Sequence, residues 1–182
     1  VALDFFEGSR TGRLLRYDPA TQRTEVMMSG LFFANGVTLG PNEDYVLVNE
    51  TGMGRVHRLW LKGDKAGQRD IFIDELPGTP DNIRFDGENT FWIAMPSLRA
   101  SLDSLASLPR LRALLSFLPI PWLEAAAQPA SFVIGVNLEG KVIHNLQDQD
   151  NPFHYITGVT PCGDKLYLGS LETEAIGVLP RP

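Results

Sequence analysis

Short apolar runs, rich in β-branched and aromatic residues, alternate along this chain with turns rich in glycine, asparagine and aspartate. The pattern predicts short strands in pairs, with a polar residue ahead of the first strand of each pair. Three such pairs begin at Asn35, Asp81 and Thr157. A repeat of roughly 40–50 residues with about four strands per unit is typical of β-propeller blades. Because equivalent positions of successive blades surround one axis, we expect these three residues to converge.

The predicted strands form about three blades, with an incomplete unit at each end. They are Gly12–Asp18, Thr24–Met28, Val37–Leu39, Tyr45–Asn49, Arg55–Leu61 and Asp70–Ile73, a third unit from Ile83 to about Leu146, and strands near Val159, Leu166–Gly169 and Ala175–Leu179. We therefore predict an all-β fold, a partial propeller domain over residues 1–182. An open half-propeller leaves unpaired strand edges, which predicts that this chain is part of a longer protein or pairs with a second chain.

Residues 98–128 break the β pattern. Leucines recur there at spacings of three and four, as on one face of a helix, and Pro109, Pro119 and Pro121 divide the run. We expect a helical cap inserted in the third blade and packed over one mouth of the propeller. The alternative is an apolar lid, or a contact with a membrane surface, with Phe117 and Trp122 near its tip.

Composition narrows the possible partners. Sixteen basic residues against 22 acidic ones give a net charge of −6, and the basic residues do not cluster, which argues against nucleic acid as a partner. The single cysteine, Cys162, excludes an internal disulfide, and the three histidines lack the spacing of zinc ligands. The sequence leaves the cellular compartment open. A small-molecule substrate is the expected partner.

Asn35 and Asp81 are the candidate metal ligands. Each offers a side-chain oxygen, and Ca²⁺ accepts six to eight oxygen ligands in irregular geometry, so separate blades can share one ion. Another divalent cation would be held in the same way. Taken singly, Asn35-Gly36 and Pro80-Asp81-Asn82 also fit ordinary turns. The shared position in the repeat favours a metal site.

Three stretches, Leu31–Thr51, Leu76–Ile83 and Gly163–Ser170, resemble signature segments of strictosidine synthase-like proteins. That family includes the adipocyte plasma membrane-associated protein and lies in the wider superfamily of gluconolactonases, regucalcin and paraoxonases. The resemblance implies a six-bladed propeller, of which this chain is the C-terminal half. It also implies a central Ca²⁺, or another divalent ion, with Asn35 and Asp81 among its ligands and a glutamate ligand outside this sequence.

The resemblance also separates two chemistries. Strictosidine synthase condenses an amine with an aldehyde through a glutamate in its last blade, and Thr157 stands at or next to that position here. A hydroxyl cannot replace a carboxylate as a general base near neutral pH, so this condensation would need a relocated acid. Because Asn35 and Asp81 are both present, we expect an enzyme of the other branch, a Ca²⁺-dependent lactonase or arylesterase-type hydrolase. A non-catalytic propeller that binds partners is the alternative from another class.

In the expected mechanism the ion binds the substrate carbonyl oxygen and stabilises the charge that develops as water attacks. Asp81 is a catalytic candidate as well as a ligand, since it could act as base or nucleophile. His154 is the second catalytic candidate, because histidine side chains exchange protons near neutral pH. Asn82 and Thr157 are expected to face the substrate channel, with Asn82 orienting its neighbours. A structural role for His154 is the competing interpretation.

Overall fold

The computed structural model of the protein describes residues 9–99, 129–148 and 152–182. The strands are β1 (Gly12–Asp18), β2 (Arg23–Leu31), β3 (Ala34–Leu39), β4 (Tyr45–Glu50), β5 (Arg55–Trp60), β6 (Arg69–Ile73), β7 (Ile83–Phe85), β8 (Thr90–Ser97), β9 (Pro129–Asn137), β10 (Val142–Gln147), β11 (Ile156–Cys162), β12 (Lys165–Ser170) and β13 (Gly177–Pro180). Short 3₁₀ turns occur at Pro41–Glu43, Thr51–Met53 and Gly63–Lys65. Neighbouring strands pair antiparallel in every sheet.

The strands form four sheets in chain order, and each sheet is a blade or part of one. Blade 1 is the pair β1–β2, and blade 4 is the three-stranded sheet β11–β12–β13. Blades 2 and 3 are complete four-stranded meanders, β3–β6 and β7–β10. Consecutive pairing in an antiparallel meander, repeated sheet after sheet, is the construction of a β-propeller. The predicted strands and blade order are therefore confirmed.

The second strand of each complete blade is buried on both faces, which explains its uninterrupted apolar sequence. Tyr45 and Leu47 of β4 pack into the cluster between blades 2 and 3, whereas Val46 and Val48 pack toward blade 1. In β8 the residues alternate in the same way, with Phe91, Ile93 and Met95 toward blade 2 and Trp92 and Ala94 toward blade 4. Side chains alternate across a strand, so one run supplies two interfaces between blades.

One backbone hydrogen bond recurs between successive blades. The amide of Gly36 donates to the carbonyl of Asp81 at 2.9 Å, and the amide of Asn82 donates to the carbonyl of Thr157 at 3.2 Å. The strand register agrees, because Val37, Ile83 and Val159 pair with Val48, Ile93 and Leu168 respectively. The equivalence of Asn35, Asp81 and Thr157 in the repeat is thus confirmed.

The predicted helical insertion, residues 98–128, lies almost wholly outside the described residues. At its start β8 ends at Ser97, and Leu98 forms an isolated bridge with Gly78. The cap, the lid and the membrane contact therefore stay predictions. Within the ranges that the structure describes, no helix has the length and apolar character needed to cross a membrane.

Candidate functional site

The inner strands of three adjacent blades bring the predicted site residues together. Asn35 is the second residue of β3, Thr157 is the second residue of β11, and Asp81 lies two positions before β7. The side chain of Asn35 hydrogen-bonds the Asp81 carboxylate. Asn82 donates from Nδ2 to the Thr157 carbonyl at 2.7 Å and lies 3.3 Å from Oδ1 of Asp81. Residues up to 122 positions apart in sequence thus share one end of the inner strands.

The turn interpretation of Asn35-Gly36 is wrong, because both residues lie within β3. Gly36 is not among the glycines with positive φ. It is needed for close approach instead: a Cβ there would lie 2.7 Å from the Asn82 Cα and 2.8 Å from the Ile83 nitrogen. Glycine lets the backbones of blades 2 and 3 meet at the site.

The Asp81 carboxyl group lies in an environment that favours its neutral form. Burial raises its pKa, and the hydrogen bond from Asn35 only partly opposes that effect, so the pKa is raised to about 6. A buried carboxylate without a cationic partner behaves in this way. The charge on Asp81 is therefore poorly compensated by the described residues, and a cation beside it would be bound favourably.

The backbone around Asp81 is held from both neighbouring strands. The Asp81 amide donates to the Ala94 carbonyl at 2.9 Å, and the amide of Ala94 donates to the Asn82 carbonyl at 3.0 Å. From blade 2, Asn49 Nδ2 donates to the Asp81 carbonyl at 2.7 Å and Thr51 Oγ1 donates to the Pro80 carbonyl at 2.6 Å. Asn49 is not among the predicted site residues, and no local signal in the sequence marks it, because its contact spans 32 residues.

Glu50 is a fully buried carboxylate on the other face of β4. Its Oε1 accepts a hydrogen bond from the Phe32 amide at 2.7 Å, and its Oε2 lies 2.6 Å from Nε of Arg55 and 2.7 Å from Nε2 of His57. Burial alone would raise the pKa of Glu50, but the hydrogen bonds from His57, Phe32 and Arg55 outweigh it and lower the pKa to about 2. Glu50 is thus ionised and held in place.

His154 lies at the same end of blade 4 but in a different set of contacts. Its Nε2 is 3.5 Å from Oε2 of Glu172, and its ring is tilted against Tyr155 at a centroid distance of 5.5 Å. Its carbonyl accepts a hydrogen bond from Ser170 Oγ at 2.7 Å. Among the described residues, none of its contacts is with Asp81. The structure therefore places His154 close before β11 without joining it to the Asn35–Asp81 pair.

The oxygen atoms at the site are of the chemical type that binds a hard cation. Asn35 and Asp81 offer an amide oxygen and a carboxylate, and Asn49 Oδ1 is a buried oxygen without a hydrogen-bond partner in the part of the chain that is described. All are oxygen ligands of the type that Ca²⁺ selects. No group of three or more His, Cys, Asp or Glu side chains that could hold a metal occurs within residues 9–99, 129–148 and 152–182. A complete coordination shell therefore needs ligands beyond these.

The four antiparallel sheets in chain order define a β-propeller, and the candidate site lies at the inner strands of its blades. Solved structures agree on the fold: a gluconolactonase from Xanthomonas campestris matches with a TM-score of 0.62 at 14% identity, over 93% of this chain and 44% of that chain. Regucalcin from Agrobacterium tumefaciens, described as a calcium-binding protein, matches with a TM-score of 0.61 at 14% identity, over 91% of this chain and 46% of that chain.

Sequence relatives give the family. The strictosidine synthase family model matches residues 1–64. Strictosidine synthase-like 13 of Arabidopsis thaliana is 35% identical over 97% of this chain and 42% of its own length, and the adipocyte plasma membrane-associated protein of Gallus gallus is 35% identical over 93% of this chain and 43% of its own length. The predicted resemblance is confirmed: the chain is related to the strictosidine synthase-like proteins.

The chain spans less than half the length of these curated relatives. The described polar contacts of Thr157 run through its backbone carbonyl, which accepts hydrogen bonds from the amide and the side chain of Asn82. Kinship with this family therefore indicates the fold of the chain but does not identify the reaction.

Proposed function

We propose that Asn35 and Asp81 form part of a divalent-cation site, for Ca²⁺ in the first instance, and that the whole propeller uses this site to hydrolyse a small lactone or ester. One observation carries the proposal: the half-buried carboxyl group of Asp81 meets the Asn35 amide where the inner strands of two blades touch. The fold neighbours described as a calcium-binding protein and a gluconolactonase support the same class of function.

Each residue has a defined task in this proposal. Bound at the site, a divalent cation would polarise a carbonyl oxygen and stabilise the negative charge that forms as water adds. Asp81 and Asn35 hold the ion through their oxygens. Asn82 ties the Asp81 segment to blade 4 through the Thr157 carbonyl and so orients the carboxylate. Asn82 and Thr157 border the channel from which substrate would approach.

Proton transfer has two candidates. A carboxyl group with a pKa of about 6 is matched to general-base catalysis near neutral pH, so Asp81 would serve as base, or as nucleophile, if the ion is held by other ligands. His154 would assist from the same end of blade 4, where its Nε2 lies 3.5 Å from Oε2 of Glu172. Condensation of an amine with an aldehyde is not favoured, because Thr157 offers no carboxylate.

The test compares hydrolysis of δ-gluconolactone and phenyl acetate by the full-length protein before and after chelation. The proposal predicts that chelation lowers turnover by orders of magnitude and that added Ca²⁺ restores it. Asp81→Asn should abolish the restored activity, because the amide lacks the negative charge that holds the ion. Asp64→Asn, which changes an exposed turn carboxylate in the same blade as Asn35, is the matched control and should behave as wild type.

Two outcomes would reject the proposal in different ways. Turnover that is insensitive to chelator would contradict the metal mechanism and leave Asp81 as the base to examine. A protein that hydrolyses neither substrate and binds no Ca²⁺ would instead favour a propeller that binds partners without catalysis.

A further inference from the structure

Three consecutive residues of blade 2 hold the two halves of the candidate site. Side chains alternate along β4, so Asn49 faces blade 3 together with Tyr45 and Leu47, whereas Glu50 faces the opposite side together with Val48. Thr51 follows at the end of the strand. All three polar side chains are buried, with exposed fractions of 0%, 0% and 7%. Burying a polar group costs free energy unless the group is hydrogen-bonded, so the partners of these side chains indicate their role.

Asn49 and Thr51 hold the Asp81 segment. Thr51 Oγ1 donates to the Pro80 carbonyl at 2.6 Å, and Asn49 Nδ2 donates to the Asp81 carbonyl at 2.7 Å. Two successive carbonyl groups are thus fixed by side chains from the neighbouring blade. Because two successive carbonyl groups are hydrogen-bonded to blade 2, the peptide between them is held in one orientation. Blade 2 therefore sets the direction of the Asp81 side chain.

Glu50 holds the segment that leads to Asn35. Its Oε1 accepts the Phe32 amide at 2.7 Å, and the next residue, Phe33, has a left-handed backbone with φ of 58°. Non-glycine residues adopt this conformation where their surroundings impose it. Blade 4 repeats the arrangement, because Ser170 Oγ donates to the His154 carbonyl and Tyr155 has φ of 50°. The end of the second strand thus fixes the entry to the inner strand in both blades.

We propose that Asn49, Glu50 and Thr51 are positioning residues, a single clamp that sets the separation of the Asn35 and Asp81 side chains. The inference deepens the proposed function and rests on it for its effect on a cation. The clamp explains why Asn49 is polar in an otherwise apolar interface. It also assigns a role to a triplet whose side chains hydrogen-bond the backbone of the segments that carry Asn35 and Asp81.

Thr51 provides the cleanest test, because valine has nearly the same shape without the hydroxyl group. Ca²⁺ binding to the full-length protein is measured by calorimetry for wild type, Thr51→Val and Thr51→Ser. We expect Thr51→Val to weaken binding by about 10–100-fold, the range found when groups that orient metal ligands are removed. Thr51→Ser keeps the donor to Pro80 and should restore affinity.

Thr90→Val is the matched control, because Thr90 is 3% exposed and its hydroxyl donates to Asn89 at the far end of blade 3. It should lower the melting temperature about as much as Thr51→Val and leave Ca²⁺ affinity unchanged. If Thr51→Val loses stability but keeps wild-type affinity, the clamp is merely structural and the inference is wrong.

Amide hydrogen exchange separates this inference from the proposed function. The Gly36 and Asp81 amides donate to the Asp81 and Ala94 carbonyls respectively, so their exchange reports on the clamped segment without any metal. If wild type binds no Ca²⁺, the proposed function fails, whereas faster exchange at these two amides in Thr51→Val than in Thr90→Val still supports the clamp. Equal exchange in the two variants would overturn it.

Discussion

The amide nitrogen of Gly36 lies 2.9 Å from the carbonyl oxygen of Asp81, and this hydrogen bond joins the inner strands of two blades beside the candidate site. Asn82 and Thr157 form the same bond one blade further along. The contact requires the two backbones to approach more closely than a side chain permits. Residue 36 therefore couples blade packing to the geometry of Asn35 and Asp81.

Gly36→Ala should damage both stability and the site. The added Cβ would collide with backbone atoms of residues 81–83, which cannot move aside as a flexible side chain can. We expect a loss of about 1–3 kcal/mol in the free energy of unfolding, as for other overpacked interiors, measured by urea denaturation. Ca²⁺ binding should weaken in parallel.

Gly169→Ala is the comparison, because a Cβ at residue 169 would meet no described atom within 4 Å and Gly169 does not have positive φ. Its unfolding free energy should stay near that of wild type. A Gly36→Ala protein as stable as Gly169→Ala would show that the blades separate without cost, contrary to the packing described above.

Glu50→Gln should destabilise the protein strongly at neutral pH. The substitution leaves Arg55 and His57 without their shared carboxylate, and breaking a buried ion pair on one side costs about 3–5 kcal/mol. The folded-state pKa of about 2 lies below the ordinary value of 4.5, so this stabilisation is present above pH 4.5 and is lost as the pH falls toward 2. Urea unfolding of both proteins at several pH values should show the difference shrinking over that window. A difference that stays constant would contradict the assignment.

Asp81→Asn should raise the stability of the metal-free protein at neutral pH, whereas Glu50→Gln lowers it. The folded-state pKa of Asp81, about 6, lies above the ordinary value of 3.8, so wild type loses stability as the pH rises from 3.8 to 6. The asparagine variant avoids this loss. With chelator present, it should therefore be more stable than wild type at pH 7.5 and equally stable below pH 3.8. A variant less stable than wild type at pH 7.5 would show that the charged carboxylate already has a compensating partner.

Asn49 should carry no N-linked glycan, although Asn49-Glu50-Thr51 matches the acceptor sequence for that modification. Its exposed fraction is 0%, and its amide nitrogen is engaged with Asp81. Mass spectrometry of the full-length protein from a secretory host should find the unmodified tryptic peptide. A glycan on Asn49 of the folded protein would contradict both the burial of this side chain and its hydrogen bond to the Asp81 carbonyl.

The propeller could be predicted because its signal is local and repeated. Each blade carries its own apolar runs and turns, and one polar residue marks the same position ahead of three strands, so Asn35, Asp81 and Thr157 could be aligned before their contacts were known. The inner-strand contacts then follow from the symmetry of the fold. The same symmetry explains why the strand bounds agree closely with the predicted ones.

The clamp and the role of Gly36 could not be predicted in this way. The sequence around Asn35-Gly36 fits a turn as well as a strand, and only packing against the next blade decides between them. Asn49 and Thr51 act across 32 and 29 residues of sequence, through contacts that no periodicity reveals. For His154, proximity to Thr157 in sequence suggested a shared site, whereas its side chain points to Glu172.

The most direct test of the metal site is a crystal structure of the full-length protein grown with Ca²⁺ and measured at long wavelength. We predict one anomalous peak in the channel, about 2.3–2.6 Å from an Asn35 side-chain oxygen and an Asp81 carboxylate oxygen, and absent from Asp81→Asn crystals. A channel without a peak at saturating Ca²⁺, or a peak that survives the substitution, would contradict the account.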